Sequence, residues 1–172
     1  MLIGCMEYSN MIINPTEGST SFESAAHYCK ARPDATIGLT SGSFDLFHDF
    51  HLRYLMQCKR QCDILVVGVD SNAHVQERKG LSRPIMSEFQ RVMLVNALKY
   101  VDFSYIQHSL EDFTRVAETL GTNVVFRNQE FLGREQEVAV GTSGAKVIII
   151  PDIAELDSTT NLIKRIRGEA SL

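Results

Sequence analysis

The chain has 172 residues, 44% hydrophobic and 22% charged, with a formal net charge of -4 and a pI near 5.7. Such values belong to a globular chain of about one domain and exclude a disordered segment, a collagen and a coiled coil. The acidic balance also argues against a protein that coats nucleic acid or an anionic membrane, whereas a single nucleotide needs only a local cluster of Lys and Arg.

Reading from the start, MLIGCMEYSNMIINP lacks the basic region and apolar core of a signal peptide. No window approaches the ~20 apolar residues of a membrane span. A cytoplasmic location is expected, with Cys5, Cys29, Cys58 and Cys62 reduced and no CxxC pair among them. Residues 1–18 read as an irregular lead-in. Thr20 and Glu23 form a capping-box pattern that opens a helix to about Lys30, and Pro33 follows its end.

From there two element types alternate. Residues 36–41 (TIGLTS) read as a strand, 48–61 as a helix, and 63–69 (DILVVGV) as a strand buried on both faces. Cys58 and Cys62 share a face of that helix, which fits buried structural thiols, with zinc as the alternative. Ser87 and Gln90 cap a helix to about Lys99, and 102–106 is a strand. Ser109 and Asp112 start a helix to Leu120, and 122–127 is a strand. A polar, helical stretch is expected next, then the strand 146–150, ended by Pro151, and a last helix from Ser158 to about Arg167. This alternation predicts an α/β fold: a Rossmann-like, doubly wound parallel sheet in three α/β/α layers. Residues 1–35 are read as an extension, 36–168 as the domain and 169–172 as a tail. Ligands in such folds bind at the carboxyl ends of the strands, here after residues 41, 69, 127 and 150.

The first of these turns carries the densest chemistry, T-S-G-S-F-D-L-F-H-D-F-H at 40–51. Gly42 suits a sharp turn and the close approach of a phosphate. His48 and His51 lie on one face of the first helical turn, beside unpaired N–H groups and the positive end of the helix dipole. A polyphosphate cradle and a zinc site both use paired histidines, but no third ligand stands at a helpful spacing.

The pattern T-x-G-x-F-D-x-x-H-x-x-H resembles the signature of cytidylyltransferase-like nucleotidyltransferases. The likeness continues in order through Lys79-Gly-x-x-Arg-Pro84, Glu88-x-Gln-Arg91, Val101-Asp102 and Ser158-Thr159-Thr160-Asn161-Leu162-Ile163. Within that family these segments are most similar to the adenylyltransferase domain of bacterial ADP-heptose synthase. The resemblance implies transfer of a nucleoside monophosphate from ATP or CTP to a small phosphorylated sugar or alcohol, with release of pyrophosphate. It implies that His48, His51, Lys79 and Arg91 are catalytic. It also implies that Ser41, Gly42, Ser43, Phe44, Asp45, Phe50, Arg127, Ser158, Thr159 and Thr160 bind the nucleotide. Mg²⁺ is expected with the triphosphate, no further metal is expected, and a homodimer is plausible from the family.

Two positions depart from the pattern. His48-Asp49-Phe50-His51 stands where the family usually has His-x-Gly-His, and Arg127-Asn-Gln-Glu130 where the heptose enzymes usually have Lys-Gly-Gly-Asp. Two alternatives follow. One is a cytidylyltransferase for glycerol phosphate or a phosphorylated amino alcohol. The other is a nucleotide-binding homologue with little or no turnover, because Phe50 replaces the glycine.

Overall fold

The run ILVVGVD becomes a central strand because every one of its residues finds cover. In the computed structural model, which describes residues 11–15, 20–134, 144–151 and 159–169, all seven residues of Ile64–Asp70 are buried. Alternate side chains leave opposite faces of a strand. Ile64 and Val66 accordingly join one hydrophobic cluster, while Leu65, Val67 and Val69 join the other.

The strands are β1 (Met11–Ile12), β2 (Ile37–Gly42), β3 (Ile64–Asp70), β4 (Phe103–Gln107), β5 (Val124–Asn128) and β6 (Lys146–Ile150). They form one six-stranded sheet in the order β1-β4-β3-β2-β5-β6, and every pair is parallel. The helices are α1 (Thr20–Lys30), α2 (Asp49–Lys59), α3 (Asn72–Lys79), α4 (Glu88–Asn96), α5 (Leu110–Leu120) and α6 (Thr159–Ile166). Phe22, Ala25 and Cys29 of α1 pack with Phe113, Val116 and Leu120 of α5 against one face of the sheet. Tyr54, Leu55 and Cys58 of α2 and Val92 and Val95 of α4 cover the other. The three-layer α/β/α arrangement follows. No described helix is long and apolar enough to cross a membrane.

Local signals act where the sequence places them. Gln90 N–H donates to Ser87 Oγ at 3.3 Å, and Ser87 N–H to Gln90 Oε1 at 2.9 Å, which completes a capping box on α4. Ser109 Oγ accepts the Asp112 N–H at 3.3 Å, and Gly121, with φ 71°, closes α5 in the left-handed conformation. Asp102 takes the Lys59 ammonium at 2.6 Å and the Leu65 N–H at 2.7 Å, tying α2 to the start of β3.

Three expectations are corrected. The lead-in is not wholly irregular: Met11 pairs with Phe103, and Ile13 N–H donates to Ser104 O at 2.7 Å, so the segment covers the sheet edge beside β4. Helix α3 was not anticipated, because NAHVQERK has no apolar period and buries only Val75. Its start is set by Ser71 Oγ, which accepts the His74 N–H at 3.2 Å. The polar stretch after β5 is a single 3₁₀ turn, Gln129–Phe131, as far as it is described, and residues 135–143 lie outside the described residues.

A small residue is required where β2 runs beside β5. A Cβ built on Gly38 would stand 2.5 Å from Phe126 Cε2 and 2.7 Å from Cys62 Sγ. Gly38→Ala is therefore expected to destabilise the fold by about 1–3 kcal/mol, as overpacking does. Urea unfolding of the variant beside the parent protein measures this.

The sheet also opens where the site lies. β2 pairs with β3 up to Gly42↔Val69, but with β5 only at Gly38↔Val124 and Leu39↔Val125. Beyond that point a side chain replaces the ladder: Thr40 Oγ1 donates to Phe126 O at 3.0 Å and is itself 2.8 Å from Tyr54 Oη. Because the chain order reverses between β2 and β5, this is the topological switch point, where open α/β sheets leave a crevice.

Candidate active site at the carboxyl edge of the sheet

The loop leaving β2 is held in a conformation that it would not adopt alone. Phe44 (φ 48°) and Leu46 (φ 45°) are both left-handed, at a cost of ~1–2 kcal/mol each for residues with a Cβ. Asp45, between them, is the anchor. Its fully buried carboxylate accepts Arg83 Nε at 2.8 Å, Ile85 N–H at 2.9 Å and Met86 N–H at 3.0 Å. Burial pushes the Asp45 pKa up, but the Met86 and Ile85 N–H groups and the Arg83 guanidinium outweigh it and hold the carboxyl below its usual value.

Arg91 braces the same loop from α4. It is fully buried and donates from Nη1 to Ser43 O at 2.6 Å, from Nε to Met86 O at 3.0 Å and from Nη2 to Asn72 Oδ1 at 2.9 Å. Asp45, expected to bind the nucleotide, and Arg91, expected at the phosphates, are absent from the cavity wall. Their hydrogen-bonding capacity is taken up in shaping the loop.

The histidines follow from the helix start. His48 is the N-cap of α2, in extended conformation, and its N–H donates to His51 Nδ1 at 3.4 Å. An Nδ1 that accepts leaves the His51 proton on Nε2. Burial is the main cause that pushes the His51 pKa down to about 3, with the positive fields of His48 and Lys79 adding to it and Asp45 opposing. His51 is thus a neutral imidazole with one N–H to give. The two rings lie 4.1 Å apart between centroids. Thr159 Oγ1 donates to Asp45 O at 3.0 Å and stands 3.3 Å from His48 Nε2, so His48 donates to it. The first residue of α6 is thereby fastened to the β2 loop and to the histidine.

These groups surround a cavity of about 390 Å³. Ser41, Gly42, Ser43, Phe44, His48, Phe50, His51, Lys79, Arg127, Thr159 and Thr160 all line it, as the motifs imply, while Ser158 lies outside the described residues. The structure adds Tyr54, Asp70, His74, Arg78, Arg83, Gln107, Leu110, Asn128, Glu130 and Phe131. Asp70, Gln107 and Asn128 are the last residues of β3, β4 and β5. The carboxyl-end rule alone could have named them. His74 and Arg78 could not be found without α3, which carries both at i, i+4 spacing.

Charge is unevenly settled around the cavity. Arg83 is paired with Asp45 and Arg78 with Asp70. Lys79 Nζ reaches Ser43 Oγ at 3.1 Å, and Arg127 Nη1 donates to Ser41 Oγ at 2.7 Å. Neither of these two has a carboxylate partner among the described residues. Burial, then Arg83 and Arg78, lowers the Lys79 pKa against the pull of Asp70 and Glu130. No group of three or more His, Cys, Asp or Glu gathers to hold a metal among the described residues. Cys62 Sγ turns to Cys58 O at 3.5 Å, and burial pushes its thiol up to about 12.

Comparison with known proteins agrees with this architecture. The family model "Cytidylyltransferase-like" matches residues 39–166. The chain is 31% identical over 137 residues to the bifunctional protein HldE of Campylobacter fetus, covering 80% of this chain and 29% of that protein. It is 35% identical over 139 residues to HldE of Paramagnetospirillum magneticum, covering 80% and 28%. It thus spans less than a third of the length of these curated relatives. A lipopolysaccharide core biosynthesis protein from Thermoplasma volcanium superposes with a TM-score of 0.56 at 24% identity, over 69% of this chain and 97% of that one. Pantoate-beta-alanine ligase from Francisella tularensis gives 0.53 at 14%, over 83% and 75%. At those identities the two structures speak for the fold. With the family model spanning the β2 loop, the histidine pair and α6, the chain belongs to the cytidylyltransferase-like family.

Proposed function

We propose that this protein transfers a nucleoside monophosphate, preferentially from ATP, to a small phosphorylated sugar and releases pyrophosphate. The observation that carries this reading is the convergence of His48, His51, Lys79 and the first turn of α6 on one cavity at the switch point. In that reaction an oxygen of the acceptor phosphate attacks the α-phosphorus as the bond to the β-phosphate breaks in line, and pyrophosphate leaves with the electron pair. No covalent intermediate on the protein is needed, so catalysis consists of positioning and charge stabilisation.

His51 Nε2–H would donate to phosphoryl oxygens, and His48, whose Nε2–H goes to Thr159 Oγ1, would hold the first turn of α6 beside them. Lys79 would balance the leaving pyrophosphate, and Thr159 and Thr160 would offer a hydroxyl and helix N–H groups. Mg²⁺ would enter with the triphosphate as part of the substrate, held largely by phosphate and water. Asp70, Gln107, Asn128 and Glu130 supply side-chain acceptors around the rest of the cavity, which suits the hydroxyls of a sugar. The motif likeness to the ADP-heptose synthase domain supports ATP as donor.

A second reading rests on Phe50. Its ring lines the cavity, 6.2 Å from the His48 ring and 6.3 Å from the His51 ring between centroids. A phenyl group there favours a protein that binds nucleotide and turns it over slowly. Pyrophosphate release across sugar and alditol phosphates with ATP and with CTP separates the two readings. Turnover with ATP and a sugar phosphate is expected. Binding without turnover, with activity gained by Phe50→Gly, would establish the second reading instead.

A further inference from the structure

We infer that Arg127 is the anchor for the acceptor's phosphate, set apart from the cradle that holds the triphosphate. The inference rests on the nucleotidyl-transfer reading above and names within it the group that seats the nucleophile. Arg127 lies near the end of β5, with its guanidinium 4.6 Å from the Phe113 ring centroid and 5.4 Å from that of Phe131. One donor is fixed to Ser41 Oγ at 2.7 Å. Nε is buried and has no hydrogen-bond partner among the described residues. A guanidinium stays charged in a protein, and burying it without a counter-charge is costly. Of the two carboxylates on the same cavity wall, Asp70 is already bonded to Arg78 and Glu130 makes no ion pair with Arg127. The missing partner is an anion, and Arg127 is pre-organised to receive it by two rings and a hydroxyl.

The layers decide which anion. His48 and His51 stand at the start of α2, as its N-cap and in its first turn, and α2 covers one face of the sheet. Phe113, beneath Arg127, belongs to α5 on the opposite face. Arg127 and the histidines therefore approach the crevice from its two sides. Lys79 is anchored at Ser43 and Arg127 at Ser41. These anchors are two residues apart, so their backbones are separated by at most ~7 Å. Two phosphates held at such neighbouring points can meet. An acceptor phosphate must approach a triphosphate of the same sign, and a cation on its own side removes that repulsion. The phosphate oxygen then forms the new bond to the α-phosphorus, and the bond to pyrophosphate breaks.

The test uses the whole chain, saturated with α,β-methylene ATP so that the triphosphate cradle is filled, and titrated calorimetrically with inorganic phosphate. Arg127→Gln is expected to weaken phosphate binding at least tenfold while changing the affinity for the ATP analogue less than twofold. Arg127→Lys, which keeps the charge but not the fork, is expected to fall between. Equal weakening of both ligands by Arg127→Gln would make Arg127 a scaffold or a triphosphate ligand and overturn the inference. Unchanged phosphate binding, or no phosphate binding to the parent complex, would overturn it too while leaving the proposed reaction standing. Failure of the parent protein to bind either the ATP or the CTP analogue would bring down the reaction itself, and the inference with it.

Discussion

Alanine at position 51 is expected to slow pyrophosphate release by about 100- to 1000-fold, the loss seen when one pre-organised donor to a developing oxyanion is removed. The reasoning starts at the helix terminus. His51 Nδ1 accepts the His48 N–H, so Nε2 carries the proton, and burial with two positive neighbours keeps the ring neutral down to about pH 3. A neutral N–H donor of this kind does not need to gain a proton to act. The rate should therefore show no inflection near pH 6.5 from His51, where a free histidine would titrate. His51→Gln keeps a donor at about the same reach and should retain more activity than the alanine variant. Steady-state kinetics, with circular dichroism to check folding, measures both.

The same shift has a consequence for stability. The folded pKa lies below that of the unfolded chain, so between about 6.5 and about 3 the unfolded state binds a proton that the folded state refuses. The contribution of His51 to stability is full above that window and is lost as pH falls through it. Unfolding in urea at pH 7.5 and pH 5 should show a smaller loss on acidification for His51→Ala than for the parent.

Asp45→Ala is expected to destabilise the protein by about 3–5 kcal/mol, the range for breaking a buried ion pair by removing one partner. For a chain of this size that amounts to roughly 6–20 °C in the melting temperature. Three donors lose their acceptor at once: Arg83 Nε, Ile85 N–H and Met86 N–H. Arg83 is left with a side chain only 11% exposed beside an empty place. The strained pair Phe44 and Leu46 loses its central support as well. Since the Asp45 pKa is held below its usual value, its contribution is present above the unfolded carboxyl pKa and disappears as pH falls through the lower folded one. Calorimetric melting of the variant and parent at pH 7 checks the magnitude. A drop under about 2 °C would mean that Asp45 does not carry the loop.

Much of this protein was legible in one dimension. DILVVGV announced a strand buried twice over because it lacked polar alternation, and Ser87 with Gln90 announced a helix start through hydrogen bonds local to four residues. The ordered motifs from Thr40 to Ile163 carried the family. All of these rest on interactions short in sequence, or on residue types tied to a single chemistry. Tertiary structure alone decided which polar residues face the cavity. Arg91 and Arg127 are the same residue type, yet one is spent on Met86, Ser43 and Asn72 while the other stands at the crevice with no counter-ion among the described residues. Asp45 and Asp70 divide in the same way, between an inner brace and a cavity wall. Helix α3 was hidden because its stability comes from one buried valine and a serine cap rather than from an apolar stripe. The sequence by itself determined the layers and the family. The folded chain decided the use of each charge, because a charged group's role depends on the partners that close around it from strands and helices far away in sequence.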